Sequence, residues 1–552
     1  MNDSGTWPSC NRMNDGQFHP YASRLTRISS CKVRNCGIGY CQTGNNRKTC
    51  VNLQANHFFI MGQSNYQLFP INSQSTDPLD DADGNVDDYT TTNNRKKNIL
   101  RWIILAVILI LVIIVIIIII VIVVHKKKPK EKSTVLIYNC SGNSTGKHDT
   151  LNYVYIYMII LGISNRKVLF IIADGIPADV LERAPIPNMK KIQQIGKYKR
   201  AYVGGDVGTY SETATISAPG YINLLTGTWG NKHNVYDNKI SDPNYNYKNI
   251  FRLIKEQQIN ETIGIFSTWL DNRVKLIGEG LPQAGNITFD FKFDGYELDL
   301  KNFPHDSQNL YINHIDQHVI NETVKCITNS GPDASWVYLQ YTDDMGHAYG
   351  DSPQMLDAIN ILDQQIGQIY EAIQCRINQH KEEWLLVITT DHGRDIHTGQ
   401  NHGGQSERER TTWIIMNHNE TNNYFENFQP SIVDIMPTMM RFLNMKIPLE
   451  SEREIDGIPL IGPVSLVKPD LNLNGNNLTI KWKTLNKTGN VKIWLSTTNL
   501  FKDGSIDNYT LIGNVSIENE IATFNIEKYV SNFYKIILDG EYNMVNKWIS
   551  RK

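Results

Sequence analysis

The chain has almost no net charge. In 552 residues, 54 Lys and Arg stand against 56 Asp and Glu, a formal −2. That balance removes the basic excess expected of a general nucleic-acid binder. The one long apolar run is residues 102–124, "WIILAVILILVIIVIIIIIVIVV", too far along the chain for a cleavable signal peptide. It contains no polar side chain. As a helix rising about 1.5 Å per residue it reaches ~34 Å, enough to cross a bilayer. So long and uniform a run is unlike a buried core helix. Cysteine is scarce beyond it: Cys10, Cys31, Cys36, Cys41 and Cys50 crowd the N-terminal tail, and only Cys140, Cys326 and Cys375 follow. An odd cluster of five on a cytoplasmic side fits neither a disulfide module nor a metal module well.

Flanking charge does not orient the span. Arg95, Lys96, Lys97 and Arg101 precede it, and Lys126, Lys127, Lys128, Lys130 and Lys132 follow it. Sequons lean one way. The first 101 residues hold 14 Asn but one N-x-S/T site, at Asn2. After the span there are ten: Asn139, Asn143, Asn260, Asn286, Asn321, Asn419, Asn477, Asn486, Asn508 and Asn514. The expected topology is a single-pass type II plasma-membrane protein with a glycosylated, extracellular C-terminal part. Residues 1–98 are then a cytoplasmic tail, 99–125 the transmembrane helix and 126–165 a stalk. Outside, Cys326 and Cys375 are a candidate pair, which leaves Cys140 to link two chains as a disulfide-bonded homodimer. "LNYVYIYMIILG", 151–162, is too short to span a membrane and reads as an extra strand.

Three short apolar runs end in aspartate: "KVLFIIADG" with Asp174, "WVYLQYTDDMGH" with Asp343 and His347, and "EWLLVITTDHGR" with Asp391 and His392. Such runs read as strands buried on both faces of a parallel sheet. The intervening "PQMLDAINILDQQIGQIYEAIQCRI" has the apolar spacing of an amphipathic helix. Strand, helix, strand implies an α/β fold, in which ligands gather at the carboxyl ends of the strands. A single Asp there is more often a helix N-cap. Three at equivalent positions, two with His, repel one another unless cations lie between them, and the mixture of oxygen and nitrogen donors suits Zn²⁺. Upstream, "TATISAPGYINLLTG" places Ser217 at or just before a short helix that stops at Gly227. A helix N-terminus favours an anion. The plainer role for Ser217 or Thr215 is an N-cap.

Together these motifs resemble the alkaline phosphatase superfamily, and within it the ectonucleotide pyrophosphatase/phosphodiesterase (type I phosphodiesterase) family. Ser217-Ala-Pro matches the family's nucleophile followed by x-Pro, and "LTG" ends ten residues on at Gly227. "HNVYDN" matches its segment ending in Asn238, Asp343 to His347 its D-x-x-x-H, and Asp391 to Gly393 its D-H-G. The resemblance covers about residues 166 to 462. It implies an alkaline-phosphatase-like mixed or parallel sheet flanked by helices over 166–465. It implies two Zn²⁺, one held by Asp174, Asp391, His392 and the Ser217 oxygen, the other by Asp343, His347 and His402. It also implies Ser217 as catalytic nucleophile through a phospho-serine intermediate, with Asn238 and a backbone N–H near Ser217 donating to phosphate. Arg394 is a candidate phosphate contact, His233 a structural residue, and Glu407 and Arg408 braces. The expected activity is phosphodiester or phosphoanhydride hydrolysis of a nucleotide or other small molecule, with no nucleic-acid polymer as partner. The alternatives are a phosphomonoesterase, a phospholipid-headgroup phosphodiesterase, or a catalytically silent adhesion protein.

The chain departs from that family at one ligand. In animal members the last zinc His lies much farther downstream, whereas His402 is ten residues past His392. His397 and His418 are the other downstream candidates; His402 is preferred because Gly403 and Gly404 permit close approach. The sulfatase pattern also resembles Ser217-Ala-Pro-Gly, but it requires Arg where Tyr221 stands, so formylglycine chemistry is not expected. Residues 466–552 hold short alternating strands, among them "NLTIKWKT" and "FYKIILDG". They resemble a fibronectin type III β-sandwich and are expected to be an accessory domain.

Overall fold

A computed structural model describes residues 166–551. The tail, the apolar run, the stalk with Cys140, Asn139 and Asn143, and the 151–162 segment lie outside the described residues. Among the described residues no helix is long and apolar enough to cross a membrane.

Seven strands form the first sheet. They are β1 Arg166–Ala173, β2 Lys197–Tyr202, β3 Ile263–Ser267, β4 Phe291–Phe293, β5 Ala334–Leu339, β6 Glu383–Thr389 and β7 Thr411–Met416, in the order β2-β7-β6-β1-β5-β3-β4. The run β6-β1-β5-β3-β4 is parallel, while β7 pairs antiparallel with β6 and with β2. The sheet is thus mixed, with its antiparallel strands on one side. β1 is apolar and buried from Val168 to Ala173 because helices cover both faces of the sheet. Its neighbours are in register with it, Ala173 opposite Leu339 and Ile172 opposite Thr389. The carboxyl ends of β5, β1 and β6 therefore sit side by side.

Five helices matter for the site: α1 Ser217–Thr226, α2 Gly230–His233, α3 Leu310–Asn329, α4 Tyr341–Tyr349 and α5 Pro353–His380. α5 is the expected amphipathic helix, capped by Ser352 Oγ, which accepts from Met355 N at 3.3 Å. Its face Met355, Ile359, Leu362, Ile366, Ile369 and Ile373 is buried in the apolar layer on one side of the sheet. α1 stops at Gly227, whose φ of +66° suits glycine. Ser217 is its first residue and the preceding Ile216 its cap, with no side-chain capping bond, so Ser217 and Thr215 are not N-caps.

The C-terminal strands are β8 Leu466–Asn474, β9 Asn477–Thr484, β10 Asn490–Ser496, β11 Thr510–Ser516, β12 Ile521–Asn525, β13 Phe533–Asp539 and β14 Met544–Ser550. They form an antiparallel four-stranded sheet, β11-β10-β13-β14, and a three-stranded one, β12-β9-β8. A fibronectin type III identity rests on the sequence resemblance alone. These sheets are not a detached accessory. Their apolar faces belong to the same buried cluster as α1 and one side of the large sheet. Lys232 of α2 is buried, with Nζ donating to Glu454 O at 2.6 Å, Asp456 Oδ1 at 2.6 Å and Asn546 Oδ1 of β14 at 2.9 Å. Lys535 of β13 donates to Glu454 Oε1 and Asp507 Oδ2, each at 2.6 Å.

The expected Cys326–Cys375 pair does not form. Cys375 is disulfide-bonded, whereas Cys326 is a free, buried thiol.

Candidate metal centre and active site

Asp174 directly follows β1, and Asp391 lies two residues past β6. Asp343 departs from the expected strand end. It lies in the first turn of α4, and His347 follows it at i+4, so helix periodicity brings the two side chains to one face. His347 Nε2 is 3.3 Å from Asp343 Oδ2. His402, from the loop after Gly399, completes this group, its Nε2 3.1 Å from His347 Nε2 and 3.9 Å from Asp343 Oδ1.

The other group is Asp174, Asp391 and His392, all fully buried. His392 Nε2 lies 3.4 Å from Asp174 Oδ1 and 3.3 Å from Asp391 Oδ2. These three atoms are buried without a hydrogen-bond partner. Buried polar atoms are rarely left so. Donors about 2.0–2.1 Å from a tetrahedral Zn²⁺ stand roughly 3.3 Å from one another, so the spacing here fits that ion. In each triad the donor atoms all lie within 4.8 Å of one another. The rings of His392 and His402 stack at 3.7 Å, which sets the two groups side by side.

Both histidines are held with Nε2 facing inward. His402 Nδ1–H donates to Thr215 O at 2.9 Å, and His392 Nδ1–H to Gly393 O at 3.0 Å. Anchoring the far nitrogen on a carbonyl is how metal-binding imidazoles are oriented. Thr215 also donates through Oγ1 to Gly404 O at 2.8 Å and accepts from Gly403 N at 3.0 Å. The strand of chain just before Ser217 is thereby stitched to the His402 loop. His397 is exposed, and His418 packs against Phe442 at 6.0 Å. Neither joins a triad.

Electrostatics follow from burial and crowding. Burial, then the charges of Asp391 and Asp343, push Asp174 well above the usual carboxylate range. Burial and Asp343 push Asp391 up to about 7. Burial, then His402, holds His392 well below the ordinary histidine value. Burial opposes ionisation of Asp343 too, but the His347 hydrogen bond and the Arg394 charge outweigh it and hold its carboxyl low. Two buried carboxylates pushed upward are what a pocket short of positive charge produces.

Ser217 is buried at the start of α1, and one turn later Gly220 packs on Asp391: a Cβ there would lie 2.8 Å from Asp391 Cβ. Asn238 is exposed, with Oδ1 accepting from Ala218 N at 2.9 Å. This contact engages one of the backbone N–H groups near Ser217. The Ala218 N–H is already taken, Gly220 N donates to Ile216 O, and Pro219 has no N–H.

Arg394 is corrected from phosphate contact to brace. It is fully buried, and four of its five N–H groups donate within the chain: to Gly175 O at 2.8 Å, Gln400 O at 3.0 Å, Asp343 O at 2.8 Å and Asp343 Oδ1. Arg408 likewise braces, bonding Asp179, Asp351 and Asp395 O. His233 is structural: it is buried, and its Nε2 meets Asn223 Oδ1 at 2.8 Å. Two tyrosines escaped the sequence reading. Tyr221 and Tyr338 both direct their hydroxyls at Asp174 Oδ2, Tyr338 at 2.7 Å. Nothing in the spacing of a single sequence marks them.

Residues 168–401 match the model of the type I phosphodiesterase / nucleotide pyrophosphatase family. The match covers less than half of the chain but contains five of the six triad residues, His402 lying one residue past its end, and it supports an alkaline-phosphatase-type hydrolase domain. Residues 9–55, outside the described residues, match the model of a nematode antimicrobial peptide; they hold the five clustered cysteines. No curated protein matches the chain significantly. Among solved structures, murine ectonucleotide pyrophosphatase/phosphodiesterase 5, inactive and in complex with AMP, aligns at 15% identity over 51% of this chain and 96% of that one, with a TM-score of 0.35. A 2-O GAG sulfatase aligns at 11% identity over 66% and 85%, TM-score 0.38. An alkaline phosphatase superfamily protein from Vibrio parahaemolyticus aligns at 13% over 66% and 81%, TM-score 0.35. At these TM-scores the likenesses decide nothing about activity.

Proposed function

We propose that residues 166–465 form a two-zinc phosphodiesterase that hydrolyses phosphodiester or phosphoanhydride bonds of nucleotides or related small molecules. The observation that carries this reading is the pair of adjacent Asp/His triads, one with three unpartnered buried donor atoms. Asp174, Asp391, His392 and Ser217 would hold one zinc, and Asp343, His347 and His402 the other. Bound zinc supplies Lewis-acid polarisation of the phosphoryl group and favours an ionised oxygen nucleophile at neutral pH.

The chain's own groups do the rest. Ser217 Oγ is the attacking atom: it forms the bond to phosphorus while the leaving oxygen departs, and water then hydrolyses the phospho-serine ester. Asn238 Nδ2 donates to a non-bridging oxygen, held in place by the Ala218 N–H on its Oδ1. His347 lies on the more exposed side, with its side chain 48% accessible, so substrate enters over the Asp343 triad.

The test is turnover by the purified chain of nitrophenyl-TMP, nitrophenyl phosphate and nitrophenyl phosphorylcholine. The diester nucleotide should be cleaved fastest, Ser217→Ala should be inactive, and Asn238→Ala should lose about 10²–10³ in rate. Faster cleavage of the monoester, or full activity in Asn238→Ala, overturns the diesterase reading. Preference for the phosphorylcholine ester moves the substrate to a lipid headgroup. No turnover of any ester leaves the silent adhesion protein.

We place this domain outside the cell, anchored by residues 99–125. Support comes from the eight described sequon asparagines, none of which is buried, and from the Cys375 disulfide, which belongs to an oxidising compartment. Peptide-N-glycosidase should lower the apparent mass by several glycans; an unchanged mass speaks against this topology.

A further inference from the structure

Asp174 uses its two oxygens differently. Oδ2 accepts from two phenols, Tyr221 of α1 and Tyr338 of β5, the latter at 2.7 Å. Oδ1 has no partner and faces His392 Nε2 at 3.4 Å. The backbone is pinned as well, since Thr342 Oγ1 donates to Asp174 O at 2.7 Å. Both tyrosines are buried, Tyr221 completely, and their rings pack 4.9 Å apart. A phenol O–H against a carboxylate oxygen is the donor of the pair. Tyr221 stands four residues after Ser217, on the same face of α1. A hydroxyl so deeply buried must find an acceptor, and the acceptor here is a carboxylate on the adjoining strand end.

We infer that Tyr221 and Tyr338 are positioning residues that hold Asp174 as a ligand through Oδ1 alone and fasten the start of the Ser217 helix to it. With Oδ2 occupied by two O–H donors, the carboxylate cannot rotate to offer both oxygens. Because Tyr221 shares a helical face with Ser217, the same bond fixes where the serine stands relative to that ligand. Tyr221 occupies the place that sulfatases give to arginine, and this contact assigns it a role there. The inference rests on the zinc reading of the Asp174 triad.

The test uses the full chain and zinc alone as probe. Tyr221→Phe and Tyr338→Phe each remove one hydroxyl and nothing else. Zinc affinity is measured by competition with a chromogenic chelator, and folding by thermal melting. Each variant should bind one of its two zinc ions about 10–100-fold more weakly, the range found when partners of metal ligands are removed. Both hydroxyls serve one oxygen, so the double variant should lose less than the product of the single losses. Activity lost at low zinc should return with excess zinc, which a purely structural defect would not allow. If wild type binds two zinc ions and Tyr221→Phe binds both with unchanged affinity, the positioning role is wrong while the metal reading stands. If wild type binds no zinc, both fail together.

Discussion

His347 and His402 bring their Nε2 atoms within 3.1 Å of each other across 55 residues of sequence. One comes from helix periodicity, the other from a glycine-flanked loop tied to the chain before Ser217. Two imidazole nitrogens so close, beside Asp343, either share a proton or share a cation. We therefore expect His402→Ala to lose about one bound zinc and most activity, because an opened coordination position weakens the metal site. His397→Ala and His418→Ala should stay near wild type. Zinc counted by mass spectrometry on the three variants checks this; two zinc ions retained in His402→Ala removes the ligand assignment.

Asp316 of α3 carries a pH effect away from the triads. Its Oδ1 accepts from Thr268 Oγ1 at 2.5 Å and from Gln340 N at 3.2 Å, and its Oδ2 from Tyr341 N at 2.9 Å, so it caps the helix that bears Asp343 and His347. Burial raises it from 3.8 to about 7. Between those values the folded chain keeps a proton that the unfolded chain has lost. Stability should therefore fall as pH rises through that window and be indifferent to this group on either side. Asp316→Asn does not titrate. The Tm of wild type minus that of the variant should shrink from about pH 4 to about pH 7. A constant difference contradicts the raised value.

The C-terminal sheets are predicted to be inseparable from the α/β half. Lys535→Met leaves Glu454 and Asp507, both buried, without their shared cation. Breaking such a buried pair on one side costs about 3–5 kcal/mol. Denaturant unfolding should register that loss. Adding Glu454→Gln and Asp507→Asn to the same chain should recover part of it. No loss in the single variant would mean that water reaches these groups.

The α/β half was legible in the sequence wherever one strand or helix writes its own pattern. β1, β5 and β6 are uniform apolar runs, α5 has a clear apolar face, and Pro219 with Gly227 brackets α1. The fold gathers the five triad residues that the motifs singled out together with His402, which its flanking glycines had favoured over His397 and His418. What was missed depends on contacts between distant segments. Arg394 follows D-H-G and looks like a phosphate ligand until Gly175, Gln400 and Asp343 are seen to occupy it. Tyr221 and Tyr338 are ordinary apolar-run residues until the sheet order places both over Asp174. Cys326 and Cys375 were a candidate pair because few cysteines follow the apolar run, and scarcity says nothing about separation in space.

The most direct test of the central claim is metal reconstitution of the purified chain. Its nitrophenyl-TMP hydrolysis should vanish after chelation, when no zinc remains, and return as zinc is added, reaching full rate at two ions per chain. Undiminished hydrolysis by the metal-free chain, or a chain that takes up no zinc, would contradict the account.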